Sequence, residues 1–353
     1  MSDSNFAFIQ TLIRKHKLNL AGLTVLTELA SGPYLLNPMI AALAGAKSVV
    51  ALGADSSFGS YESLVQDFYQ ATGASELGNQ IKLTNDLDFS LAQRPDIVTN
   101  SGHLRPITRE FLLRLKATSV IPLMWETWEF RPNELDLHAA KDLGIAVLGT
   151  QETHPLCDMR SYSALTGIKL ITEHRFKRFG SRILVVGQQP TLGVPVRQAL
   201  IGLGLDVHSI AGVDLDDFLV ERANVVDYVL LAEHGSDRMF VGPGGFTSVQ
   251  AVVEAGVRGI GVLSGAVDSV NLRLNGVSLF PPTSSDSGLH MSYSPAVLGP
   301  EPVLELFAAG LAVGAAIAYP RLQGQSVEES IRAALATSPA MDFCGSDAWL
   351  VNR

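Results

Sequence analysis

The chain has 353 residues, enough for about two domains at roughly 100–200 residues each. Hydrophobic residues make up 47% and charged residues 17%, which supplies buried cores and excludes intrinsic disorder and coiled coil. The formal net charge is −9, from 35 acidic and 26 basic residues, and an acidic surface repels phosphate backbones, so nucleic acid is not expected as a partner.

Taken in chain order, short β-rich apolar runs alternate with helical stretches. Strands are predicted at residues 23–26, 48–52, 97–99, 120–123 and 146–148, and a second series at 182–186, 206–209, 228–231 and 259–262. Helices are predicted between them at 38–44, 108–115, 134–142 and 193–203, and another at 300–318. Buried, uninterrupted strands alternating with helices point to α/β architecture: two Rossmann-like domains with parallel sheets and a cleft between them. A helical stretch over 155–173 is the expected boundary, and Phe179-Gly180-Ser181-Arg182 opens the second unit. Residues 156–290 form the expected nucleotide-binding domain. Residues 1–155 plus 291–353 form the expected discontinuous substrate domain, and the turn-rich loop 281–287 is the expected exit.

Mean hydropathy is +0.23, so a membrane reading has to be tested. The longest uncharged apolar run, 306–319, is too short to span a bilayer, and its Ala/Gly content suits a helix buried in protein. No signal peptide is visible at the N-terminus. Cys157 and Cys344 give no disulfide framework, so a cytoplasmic location is the default, and Cys157 is expected to pack in a core.

In parallel α/β sheets, ligands bind outside the carboxyl ends of the strands. That rule selects Asn100-Ser101-Gly102-His103, then Met124 to Arg131, then Gly149 to Pro155. In the second series it selects residues 187–193, Ala232-Glu233-His234 and Ser264-Gly265. Glu126, Glu129 and Arg131 lie between and beside Trp125 and Trp128. Apolar rings raise a carboxyl pKa, which suits a general acid, and a structural ion pair is the other reading. Arg131 could grip an anion. Ser101, Gly102, His103, Glu152 and His154 are candidate substrate contacts. Their spacing matches no compact metal motif, so no metal is expected.

The turn Val186-Gly187-Gln188-Gln189-Pro190-Thr191-Leu192-Gly193 runs from strand to helix, the setting for a phosphate at a helix N-terminus. The dinucleotide fingerprint is G-x-G-x-x-G, and Gln189 stands where the second glycine would admit a pyrophosphate. The next strand ends at Val207-His208-Ser209, with no acid to hold a ribose. A bound dinucleotide and a Rossmann-like unit that has lost it are both open on this reading. Candidate cofactor contacts are Gly187, Thr191, Leu192, Gly193, His208, Ala232, Glu233, His234 and Ser264.

Ile107-Thr108-Arg109-Glu110, Val120-Ile121 and Leu135-Asp136-Leu137-His138-Ala139-Ala140-Lys141-Asp142-Leu143-Gly144-Ile145-Ala146-Val147 form a recognisable text. Downstream come Ala223-Asn224-Val225-Val226-Asp227 and Gly265-Ala266-Val267-Asp268. The chain resembles, loosely over residues 95–295, the D-2-hydroxyacid dehydrogenase (formate/glycerate dehydrogenase) superfamily. The segment from Thr27-Glu28-Leu29 to Gly45-Ala46 is similar to S-adenosylhomocysteine hydrolases. The resemblance implies an oxidoreductase binding NAD or NADP and a small polar, anionic substrate. It implies His290 as acid/base, Asp268 as a candidate catalytic acid, and a dimer. The departures are specific. Ser264 stands where the family has its carboxylate-gripping arginine, and Trp125 to Arg131 replace its glycine-rich substrate loop. Two alternatives follow: a non-redox enzyme of lyase, transferase or hydrolase type, or a non-catalytic ligand-binding or scaffold protein on the same fold.

Overall fold

A computed structural model describes residues 3–73, 80–175, 182–236, 238–282 and 291–350. The chain divides into two compact units, Met1–Asp158 with Gly299–Arg353, and Met159–Leu298. His290, most of the loop 281–287, and residues 179–181 lie outside the described residues.

In the first unit, β1 (Thr24–Glu28), β2 (Ser48–Leu52), β3 (Ile81–Thr84), β4 (Ile97–Val98), β5 (Val120–Pro122) and β6 (Ala146–Thr150) pair in parallel. Their order is β6-β5-β4-β1-β2-β3, and the short strand Ala340–Met341 adds antiparallel beside β6. Alternate residues enter opposite cores. Val25, Val49, Ile97, Val120 and Ala146 face one cluster; Leu26, Val50, Val98, Ile121 and Val147 face another. That is the pattern of a sheet covered on both sides. A two-stranded hairpin, β7 (Thr153–His154) and β8 (Cys157–Asp158), closes this part of the chain.

The 301–322 region forms one helix, Glu301–Leu322, longer than the predicted apolar run. Among the described residues it is the one helix long and apolar enough to cross a bilayer by length and composition, yet 78% of its apolar window is buried inside the protein. Gly310 and Gly314 let its backbone approach Met124, Pro122 and Ile97 closely. Its buried Glu305 pairs with Lys15. A further helix, Val327–Thr337, starts at a capping box in which Ser326 and Glu329 satisfy each other's backbone N–H groups.

In the second unit, β9 (Arg182–Val186), β10 (Asp206–Ile210), β11 (Tyr228–Ala232), β12 (Gly259–Ser264) and β13 (Ser278–Phe280) are all parallel, in the order β10-β9-β11-β12-β13. Leu184, Val186, Val229, Leu231, Ile260 and Val262 face one core; Ile183, Val185, Tyr228 and Leu230 face the other. Both units are therefore doubly wound α/β sheets, as the alternation of elements predicts. The strands β3 and β13 and the segment Ala340–Met341 were not predicted. They lie at sheet edges, are two to four residues long, and carry little apolar signal.

Candidate functional site

In the first unit the strand order reverses between β1 and β4, whose connections leave for opposite faces and open a crevice at the carboxyl ends. Glu28 is the last residue of β1 and is 4% exposed. Its carboxyl is hydrogen-bonded by Ser101, after β4, and by Asn37, the first residue of the helix Asn37–Leu43. Burial pushes that carboxyl up to about 7, against the pull of the Arg105 guanidinium and of the two hydrogen bonds. The Tyr34 phenol is pushed up by burial and by the Glu28 charge. Thr99 Oγ1 donates to Thr27 Oγ1 at 3.0 Å and lies 2.9 Å from Ser101 Oγ, so a hydroxyl chain backs the site. Asn37 Oδ1 and Asn100 Oδ1 are buried acceptors with no hydrogen-bond partner. Leaving such a group unmet costs roughly 1–3 kcal/mol.

Gly102 covers the Glu28 carboxyl. Its φ of 43° lies in the left-handed region, and a Cβ there would overlap Glu28 Oε2. Gly102 is itself exposed, so the carboxyl lies just under a gap that only glycine leaves.

A second acidic group occupies the ends of β5 and β6. Trp128 Nε1 donates to Glu126 Oε2 at 2.8 Å, and the Glu152 N–H donates to Glu126 Oε1 at 3.0 Å. Glu126 therefore ties the two loops together with both oxygens. The Glu129 carboxyl is pushed up to about 8, by burial first and then by the Glu126 charge, against Arg131. Burial, Glu129 and Glu126 push Glu152 well up as well. Arg131 and Arg105 both bond Glu134, at 3.0 and 2.6 Å, and both lie over the Trp125 ring, at 5.7 and 5.2 Å. The ion pair expected for Arg131 is thus made with Glu134, which bridges two guanidiniums.

Burial lowers the His103 imidazole. His154 lies in β7, where its Nδ1 accepts the Leu156 N–H at 3.1 Å. Cys157 is fully buried, and burial with Glu152 and Glu305 pushes its thiol well up, which makes it a packing residue. Among the described residues no group of three or more His, Cys, Asp or Glu is arranged to hold a metal. Of the sequence candidates, Ser101 and Gly102 meet at Glu28, whereas Glu126 and Glu152 meet each other. Glu28, Asn37 and Arg105 were missed as site residues. The available signal for Glu28 was a lone acid just after the strand-like run Val25-Leu26-Thr27.

In the second unit the order reverses between β9 and β11. A Cβ at Gly187 would overlap Ala232 O, and one at Gly193 would overlap Gly187 O, so both glycines serve the tight strand–turn–helix packing. The helix Gly193–Gly202 offers few donors to an anion. The Val194 N–H bonds back to Gln189 O at 3.1 Å, and Pro195 has no N–H. Gln189 Nε2 donates to His234 O at 3.3 Å, linking the ends of β9 and β11. Glu233 Oε2 accepts the Gly212 N–H at 2.8 Å. Burial lowers His234 to about 4. His208 lies in β10 against the Phe218 ring. Thr191, Leu192, Ala232 and Ser264 are buried, and Ser264 ends β12. Asp268 caps the helix Ser269–Leu274: its Oδ1 accepts the Asn271 N–H and its Oδ2 the Asn271 side-chain amide. Both oxygens of this candidate acid are thereby engaged. The glycines suit a Rossmann turn, but the donor set and the nearby carboxylate do not fit a dinucleotide diphosphate.

The chain matches no known family profile and no characterised protein sequence. Among solved structures it is similar to a dipicolinate synthase chain from Bacillus halodurans, with a TM-score of 0.51 at 11% identity over 82% of this chain and 96% of that one. D-2-hydroxyisocaproate dehydrogenase is also similar, with a TM-score of 0.43 at 10% identity over 86% of this chain and 98% of that one. So is a D-lactate dehydrogenase with NAD+ from Lactobacillus jensenii, with a TM-score of 0.38 at 11% identity over 86% and 98%. The dipicolinate synthase chain shares this chain's α/β fold.

Proposed function

We propose that the chain is an enzyme of acid–base chemistry acting on a small anionic substrate, with Glu28 as the group that holds and moves the proton. The observation behind this reading is Glu28 itself. It is a buried carboxyl at the β1/β4 switch point, raised to about 7, with the exposed Gly102 against its Oε2. A group with a pKa near the working pH exchanges its proton in both directions. Protonated, Glu28 donates to a substrate oxygen as negative charge develops there. Ionised, it removes a proton from the substrate. Arg105 supplies positive charge for the substrate's anionic group, and Asn37 Oδ1 accepts a substrate O–H or N–H. Such a step changes no oxidation state, which places the reaction nearer the lyase type than hydride transfer. The competing reading, a nicotinamide dinucleotide with His290 as acid/base, rests on the fold resemblance.

The test is proton exchange. A panel of short hydroxy-, keto- and amino-carboxylates is incubated with the protein in D2O, and deuterium at carbon is followed by NMR. Wild-type protein is expected to catalyse exchange into at least one of them, with Glu28→Gln slower by about 100-fold or more. Exchange that survives Glu28→Gln at the wild-type rate defeats the proposal.

A further inference from the structure

The second unit has the sheet of a nucleotide-binding domain, yet its own side chains stand where a diphosphate would run. In this topology the diphosphate lies over the end of the first strand, against the turn and the helix N-terminus. Here β9 lies between β10 and β11. Glu233 follows β11 and its carboxylate bonds the Gly212 N–H, just beyond β10. Its side chain must therefore cross the end of β9, above Gly187. Ideal Cβ geometry agrees, since one built on Gly212 would lie 3.1 Å from Glu233 Oε1. Gln189 crosses the adjoining gap, from the β9 turn to His234 O. The turn's own carbonyl, Gln189 O, takes the Leu192 and Val194 N–H groups, and Pro195 brings none.

We infer that the crevice of the second unit is closed by Glu233 and Gln189 and that this unit binds no dinucleotide. Three independent features agree. Two of the N–H groups at the helix start, those of Leu192 and Val194, are engaged within the turn, and Pro195 brings none. A carboxylate lies across the path of two phosphate charges. The side chain at 189 fills the place where the fingerprint needs glycine. The inference does not depend on the Glu28 proposal, because it concerns other residues and another unit.

The experiment is calorimetric titration of the full-length protein with ADP, NAD+, NADH, NADP+ and NADPH. Wild-type protein is expected to give no saturable binding up to roughly millimolar ligand. Glu233→Gln keeps the side chain's size and removes its charge, and is expected to bind ADP at least about tenfold tighter than wild type. Gln189→Gly, a second variant at an independent position, is expected to shift ADP affinity in the same direction. Submillimolar binding of any dinucleotide by the wild type overturns the inference. Loss of such binding in Glu233→Gln would instead make Glu233 a ribose-holding acid. Failure of both folded variants to gain ADP affinity overturns the assignment of these side chains as the obstacle.

Discussion

The Cα of Gly102 lies so close to Glu28 that any side chain at position 102 would overlap the carboxyl oxygen Oε2. A positive φ of 43° adds to that requirement. Gly102→Ala is therefore expected to destabilise the first unit by about 1–3 kcal/mol and to displace Glu28. Urea unfolding measures the stability. If Gly102→Ala leaves the midpoint unchanged, the close approach of these two residues is wrong.

Stability should depend on pH through Glu28. Its carboxyl is held near 7 in the folded chain and near its ordinary 4.5 when unfolded. Below 4.5 both states are protonated, and the contribution of the buried neutral acid is fully present. As pH rises from 4.5 to 7 the unfolded chain loses its proton first, so stability falls, by about 3 kcal/mol for a shift of this size. Glu129, raised to about 8, gives a slope of the same sign that extends further. Tm is thus expected to be higher at pH 5 than at pH 8. Glu28→Gln should flatten the lower part of that slope, and an unchanged slope would remove Glu28 from the account.

Glu126 should behave differently. Both of its oxygens accept N–H donors, from Trp128 and Glu152. Glu126→Gln turns one acceptor into a donor facing a donor, with a cost of about 1–3 kcal/mol. The expected result is a lower unfolding midpoint with no change in the pH profile of proton exchange. A shifted profile would return Glu126 to the reacting group.

Glu134 is the shared partner of two guanidiniums. Glu134→Ala leaves Arg105 and Arg131 beside Trp125 without it, and is expected to cost about 2–4 kcal/mol. Urea unfolding, with and without added salt, measures this. A loss below about 0.5 kcal/mol would mean that the cluster is solvated like a surface pair.

The legible parts of the sequence were those with strong periodic signal. The internal strands β2 and β9 were predicted at their observed limits because each is a run of four apolar residues between one polar residue and a glycine. The edge strand β3 contains Lys82 and reads as loop. The helix Val327–Thr337 was missed although Ser326 and Glu329 carry the capping-box spacing. At the sites, the rule of strand carboxyl ends brought Ser101 and Gly102 into view. Glu28, at the carboxyl end of β1, falls under the same rule, which was applied only to the later strands of that series. Its significance comes from Asn37, on the helix that follows β1, and from Ser101 and Arg105, which lie far away in sequence and meet it only once the sheet order reverses. The role of Glu233 was equally hidden, since it depends on a contact with Gly212 across an intervening strand.

The most direct test of the central claim is the titration of Glu28. Protein carrying 13C-labelled glutamate carboxyls is titrated by NMR between about pH 4 and 9, for wild type and Glu28→Gln. One carboxyl signal is predicted to titrate near 7 and to be missing from the Glu28→Gln spectrum, while the Glu129 signal near 8 remains. The claim is contradicted if no signal is lost near 7, or if the signal lost titrates in the ordinary glutamate range near 4.3.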